Sequence, residues 1–380
     1  MPSVPSLSRP RSRRGSIALV ATFLIGSCSS TPHGPLLILE ANGGVSAVAL
    51  DGESLSLEAG GAGVQSVQPT WSPDGRLAVW TAIDAAANEF SIRMGDSDNQ
   101  RRIEAPTAPF FYYWNPDAET VAFLGNAPGQ EGVALGIIDV ASGQANLIDG
   151  GAPYFFDWDP AGDRLAIHVA TRVLAFVDLK GNRTEIPIAT GQFQTPEFLP
   201  DGRLLIVSGG PPQVLATVSE EGTLTALTEV TGISMFSADP TGERVAFTDS
   251  GSGQALGELQ VYDFESDGGV TVDAGPVAGF EWDPSGRRLL YFTVDVEGRQ
   301  LVPMVWTGAE SVDFPGFAPS VQFLTQYLPF WDQYTRSLSL WSPEGDAFVI
   351  PDSEGQVLVQ YLDQPEPENI GPGVFASWSR

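Results

Sequence analysis

Seven times along the chain, an aromatic or apolar residue is followed by a proline-centred polar turn and then by four or five consecutive apolar residues. The copies are WSPDGRLAVW from Trp71, WNPDAETVAFL from Trp114, WDPAGDRLAIHV from Trp158, FLPDGRLLIV from Phe198, ADPTGERVAFT from Ala238, WDPSGRRLLYF from Trp282 and WSPEGDAFVI from Trp341. Proline presets one turn torsion, Asp can bond back onto its own backbone, and Gly accepts a positive φ, so each copy predicts two strands reversing through a tight turn. The second strand of each pair shows no polar alternation. That pattern predicts cover on both of its faces and a place deep in the core.

The motif prolines Pro73, Pro116, Pro160, Pro200, Pro240, Pro284 and Pro343 are spaced by 43, 44, 40, 40, 44 and 59 residues. A period near 42 suits the four-stranded blade of a propeller. Weaker strands ending in turn signals fall between the motifs, as in LGIIDVASGQ from Leu135, LAFVDLKGNR from Leu174, LATVSEEGTL from Leu215 and LQVYDFESDGG from Leu259. They supply a third strand and the hairpin into a fourth. No segment of useful length carries a helical period, so the expected fold class is all-β. The ends complete the pattern: residues 36 to 58 read as three strands lacking a first, and FASWSR at the end reads as a first strand lacking the rest. Pairing them closes the ring and removes its free edges. The expected count is eight blades, or seven if residues 36 to 58 pack elsewhere.

WSPDGR before an apolar strand, with a V-D-x-x-x-G hairpin about 20 residues on, resembles the repeat of TolB-type and WD-repeat-like bacterial β-propellers. The resemblance runs over nearly all of residues 36 to 380 and implies a fold more than a function, because such propellers serve as binding scaffolds, peptidase accessory domains and enzymes alike. The ADPTG copy at Ala238 departs from it by losing the aromatic residue.

The first residues call for a different account. Arg9, Arg11, Arg13 and Arg14 precede an apolar run from Ile17 to Ile25, which is about half the length needed to span a bilayer. Such a segment is a secretory signal. LIGSC resembles a bacterial lipobox, which implies lipidation at Cys28, the one cysteine of the chain; an ordinary signal peptide is the alternative. SRRGSIA from Ser12 also partly resembles a twin-arginine export signal. The expected division is a lipoprotein signal peptide over 1–27, a tether over 28–35 and a propeller over 36–380. The mature protein would then be exported and held by lipid on the cell membrane or the outer membrane, facing the periplasm or the cell exterior.

The chain has 19 basic and 47 acidic residues, and losing residues 1 to 27 leaves 15 against 47, a balance of −32. That charge repels phosphate backbones and argues against nucleic acid as a partner. Catalytic groups are sparse: of two histidines, His33 lies in the expected tether and His168 holds a core position in its repeat. Asp263, Glu265 and Asp267 imitate the start of a calcium loop, but Ala274 stands where its last acid belongs, and a plain hairpin turn is expected. No catalytic residue, metal ligand or cofactor is assigned. The expected function is a monomeric binding scaffold for a protein, peptide or glycan. The alternative is an extracytoplasmic carbohydrate-active enzyme with paired carboxylates at the central channel. The long spacing before Pro343 marks an insertion, residues 319 to 337, and insertions in repeat folds often form the binding face. Phe330, Trp331, Asp332, Tyr334 and Arg336 are therefore the candidate ligand contacts, with Trp331, Tyr334 and Arg336 foremost. A plug or an extra strand packed on its own protein is the alternative reading of the segment.

Overall fold

The computed structural model describes residues 34–379 apart from 51, 52, 62, 97, 171, 192, 193, 211, 233, 234 and 252–255; Cys28, His33 and the expected signal and tether through residue 33 lie outside that set. The described chain is a β-propeller built from antiparallel sheets. Six of the motifs supply the first strand, the turn and the second strand of one repeat, as in Tyr154–Trp158 paired with Arg164–Val169, followed by Val173–Asp178 and Arg183–Glu185; in the Trp341 copy the first strand is reduced to a bridge between Trp341 and Phe348 beside a three-stranded sheet. One seven-stranded sheet holds two repeats run together through the 15-residue strand Gly268–Trp282, which ends one repeat and begins the next.

The termini close the ring as the pattern implied. Leu36–Leu39, Val45–Val48 and Ser54–Glu58 are three strands of one sheet, and its fourth is Phe375–Ser377 from the other end of the chain. The joining register sets Leu37 opposite Ser377 and Leu39 opposite Phe375.

The side-chain chemistry explains why the motif returns. In six copies the residue before the proline closes the turn. Asp159 and Asp239 accept the N–H of Asp163 and Glu243 at 3.1 and 3.0 Å, Asp283 accepts that of Arg288 at 3.0 Å, and Asn115 accepts that of Thr120 at 2.9 Å. Ser72 and Ser342 do the same for Leu77 and Ala347. The Asp after the proline, to which the sequence pattern gave this task, adds a shorter local bond, as from Arg76 N–H to Asp74. Gly162 sits at φ 74° in its turn, a conformation that Ala118 adopts in the copy without glycine.

The tryptophans tie neighbouring repeats together. The indole N–H of Trp158 donates to the Tyr113 carbonyl at 3.1 Å, that of Trp282 to Ser237 at 3.0 Å, and that of Trp341 to Glu281 at 3.1 Å. Each acceptor lies one residue before the motif position of the preceding repeat. Every such ring thus packs between two repeats and satisfies a carbonyl that packing would otherwise strand.

Candidate functional site

The insertion before Trp341 fills the axis of the ring. Its start, around Pro319, bridges to Asp352 in the hairpin between Ala347–Pro351 and Gln356–Tyr361. Three short helical pieces follow, Phe323–Tyr327, Leu328–Phe330 and Trp331–Tyr334, where the sequence reading expected no helix. Phe323, Tyr327, Trp331 and Tyr334 recur at helical spacing and turn one buried face inward.

That face meets the first strands of several repeats and, at Phe292, the second strand Leu289–Asp295. The Tyr327 ring stacks on Phe375 with centroids 3.6 Å apart, and Phe323 packs against Phe292. Tyr334 packs edge-on against Phe111 and accepts the side-chain amide of Gln68 at 2.6 Å. Gln68 has φ 56° at a break in the register of Val64–Trp71, an irregularity that aims its amide inward. The Trp331 indole donates to the Phe280 carbonyl at 3.1 Å. Gln333 completes two bonds with the backbone of Phe156, accepting its N–H at 3.1 Å and donating to its carbonyl at 2.9 Å, much as a neighbouring strand would. Asp332 accepts from the N–H and hydroxyl of Thr195, and Arg336 donates to the Phe236 carbonyl and forms a buried ion pair with Glu197.

A set of carboxylates connects the first strands directly. The residue before the motif aromatic is acidic in three repeats, and each acid accepts an N–H from the next repeat: Asp157 from Phe198 at 2.7 Å, Glu197 from Ala238 at 2.9 Å, and Glu281 from Leu340 at 3.1 Å. Asp157 also accepts the Tyr113 hydroxyl at 3.0 Å. Burial pushes the Glu197 carboxyl upward against the pull of Arg336, and burial likewise raises Asp332. These acids hold the ring together instead of lining open space.

Of the candidate contacts, Trp331, Tyr334 and Arg336 are 1%, 6% and 5% exposed, so their side chains belong to the interior plug and offer no surface to a ligand in this conformation. Large rings and an arginine on an insertion have two uses, and here the axial space and the inward polar groups of five strands favour filling. Asp332 points to Thr195, whereas Phe330 stays on the surface at 50% exposure. His168 is buried and bonded to the Gln194 carbonyl at 2.9 Å, and burial lowers its imidazole below the ordinary value. The segment Asp263–Asp267 is a hairpin turn in which Asp263 accepts from the N–H and hydroxyl of Ser266. Gln68, Asp157 and Glu197 were missed in the sequence; the signal for two of them was an acid standing directly before the motif aromatic.

The antiparallel order gives the ring two distinct faces. The proline turns lie on one face, together with the start of Leu36–Leu39: a Cβ at Gly34 would sit 3.4 Å from Ser379 Oγ and 3.9 Å from Pro343 Cγ. The insertion enters from the opposite face, shared with the hairpins that join second to third strands. A cavity of about 410 Å³ opens there, lined by Thr231, Asp249, Ser250, Gly257, Glu258 and Pro276. Asp249 is bonded to the N–H groups of Thr231 and Gly251. Among the described residues no grouping of His, Cys, Asp and Glu is arranged to hold a metal ion, and no helix is long and apolar enough to cross a membrane.

No family model and no curated protein matches the chain. Solved structures do resemble it. The dihydro-heme d1 dehydrogenase NirN aligns with a TM-score of 0.58 at 13% identity over 91% of this chain and 74% of that one. An oligogalacturonate lyase in complex with manganese aligns at 0.55 and 13% identity over 91% and 96%. TolB from Acinetobacter baumannii aligns at 0.44 and 12% identity over 74% and 79%. At such identities the likeness is one of fold, and the fold is the β-propeller.

Proposed function

We propose that the chain is an exported, lipid-anchored propeller of eight blades that works as a binding scaffold for a protein, peptide or glycan. The carrying observation is the plugged axis. Asp157, Glu197, Glu281 and Asp332 are each bonded to backbone N–H groups, and Glu197 also to Arg336, while Trp331 and Tyr334 are buried with them. Recognition then falls to the outer surface of the plug face and its hairpins.

The enzymatic reading draws on one of the neighbours, an oligogalacturonate lyase that covers most of both chains. It requires two carboxylates that share a space open to a sugar. Native-membrane pull-down with the full chain, followed by mass spectrometry, tests the scaffold, and saccharide cleavage assays on the same preparation test the alternative. A partner that co-purifies stoichiometrically, without saccharide cleavage, supports the scaffold; cleavage without a partner overturns it. Cys28→Ala moves the protein from the membrane to the soluble fraction, and a wild-type protein found wholly soluble with an unmodified Cys28 contradicts the anchor.

A further inference from the structure

The plug has a second face. Opposite Phe323, Tyr327 and Trp331 it presents Val321, Leu324 and Phe330, which are 75%, 42% and 50% exposed. Thr325 and Gln326 share that outer side, yet filling the axis does not require three large apolar side chains beside them in water, where clustered apolar area invites association. These three side chains also stand on backbone whose other side is fixed in the core. Ser320 ties one end by donating to the Val374 carbonyl at 2.6 Å, and the Trp331 indole bond ties the other. Docking on such a rigid surface loses little conformational entropy.

Charge selects the occupant. From Pro319 to Trp331 the segment PSVQFLTQYLPFW carries no ionisable acid or base that titrates near neutral pH, and the nearby charges Asp332 and Arg336 are turned inward. Around it, on the same face, the hairpins between second and third strands expose Glu89, Glu131, Glu297 and Glu354 against Arg172 and Arg299. The whole chain carries −28, so the acidic rim lies in a negative field. An uncharged apolar cap inside an acidic rim complements a segment with apolar anchors flanked by Lys and Arg, which the field also steers towards the face. A second copy of this chain would set acidic rim against acidic rim, and an anionic lipid surface would be repelled.

We propose that Val321, Leu324 and Phe330 form the docking surface for a basic, amphipathic segment of a partner protein. The proposal rests on the scaffold reading and names the partner's chemistry. Its test uses the full chain and three labelled helical peptides: one of Lys and Leu with an apolar face, its Glu-for-Lys counterpart, and its Ser-for-Leu counterpart. Fluorescence anisotropy is expected to show the Lys and Leu peptide binding at least about tenfold more tightly than either counterpart, a contrast typical of a few anchor residues. The triple variant Val321→Ser, Leu324→Ser, Phe330→Ser should lose that advantage while its melting temperature stays at the wild-type value. The same three changes on the outer strands, Leu55→Ser, Leu224→Ser and Val270→Ser, should leave it intact. Equal binding by the wild type and the plug variant overturns the proposal, as does equal binding of the polar basic peptide. Sedimentation that shows a dimer dissolved by the plug variant assigns the surface to a second copy and overturns it too, as does flotation of the protein without its lipid on phosphatidylglycerol vesicles. If the plug variant still captures the pull-down partner, this surface fails while the scaffold stands.

Discussion

Replacing Gln333 by Met probes the seating of the plug with little change in shape. Gln333 is 3% exposed, and its amide both accepts from and donates to the backbone of Phe156 in the strand Tyr154–Trp158. Met has similar length and volume but can do neither. The substitution therefore leaves one buried N–H and one buried carbonyl without their partner, at about 1–3 kcal/mol each, for a total of roughly 2–6 kcal/mol. Gln326→Met is the control: it lies on the exposed side of the plug, where it accepts from Gln322, and should change stability by less than about 0.5 kcal/mol. Urea unfolding followed by tryptophan fluorescence measures both. A Gln333→Met protein as stable as the control would mean that the insertion is not seated on Phe156, and the placement of the plug would fall with it.

Three further expectations follow from the same contacts. Arg336→Met leaves Glu197 buried without its counter-charge and should cost about 3–5 kcal/mol, while adding Glu197→Gln should recover part of the loss; additive single effects in that double-mutant cycle would contradict the ion pair. Trp282→Phe removes the donor to the Ser237 carbonyl and should destabilise by about 1–3 kcal/mol, whereas a change below about 0.5 kcal/mol would show that the indole bond contributes nothing between repeats. Burial lowers the His168 imidazole, so as pH falls the unfolded chain takes up a proton before the folded one does. The residue then adds nothing above about pH 7 and destabilises below its unfolded value near 6.5. The stability gap between wild type and His168→Asn, followed from pH 8 to pH 5, should be flat above 7 and move against the wild type below about 6.5; a gap constant across the range refutes the buried neutral imidazole.

The repeat was legible in the sequence because its chemistry is local. Trp, Pro and Gly recur within five residues, and the turn they build is closed by the residue between Trp and Pro. Closure by the terminal strands could be read as well, since one end lacked the strand that the other supplied. The plug could not be read in the same way, because its contacts join residues far apart: 266 positions separate Gln68 from Tyr334, 177 separate Gln333 from Phe156, and 139 separate Arg336 from Glu197. The helical spacing of Phe323, Tyr327, Trp331 and Tyr334 was the available clue. Pro329 interrupts that segment and disguises the period as a loop. Arg336 suggested a ligand contact because it stands among aromatic residues in the insertion; the partner that buries it, Glu197, is 139 positions away.

The central claim is that the insertion is a fixed part of the core, and hydrogen exchange read by mass spectrometry tests it most directly. The amides of Thr335 and Leu338 donate to the carbonyls of Trp331 and Tyr334, and the side chains between them are packed in the axis. A peptide covering residues 331 to 338 should exchange as slowly as the core strand Arg164–Val169 and far more slowly than the exposed hairpin at residues 295 to 300. Exchange of 331 to 338 at the rate of that hairpin would show an open loop in place of a plug and would contradict the account.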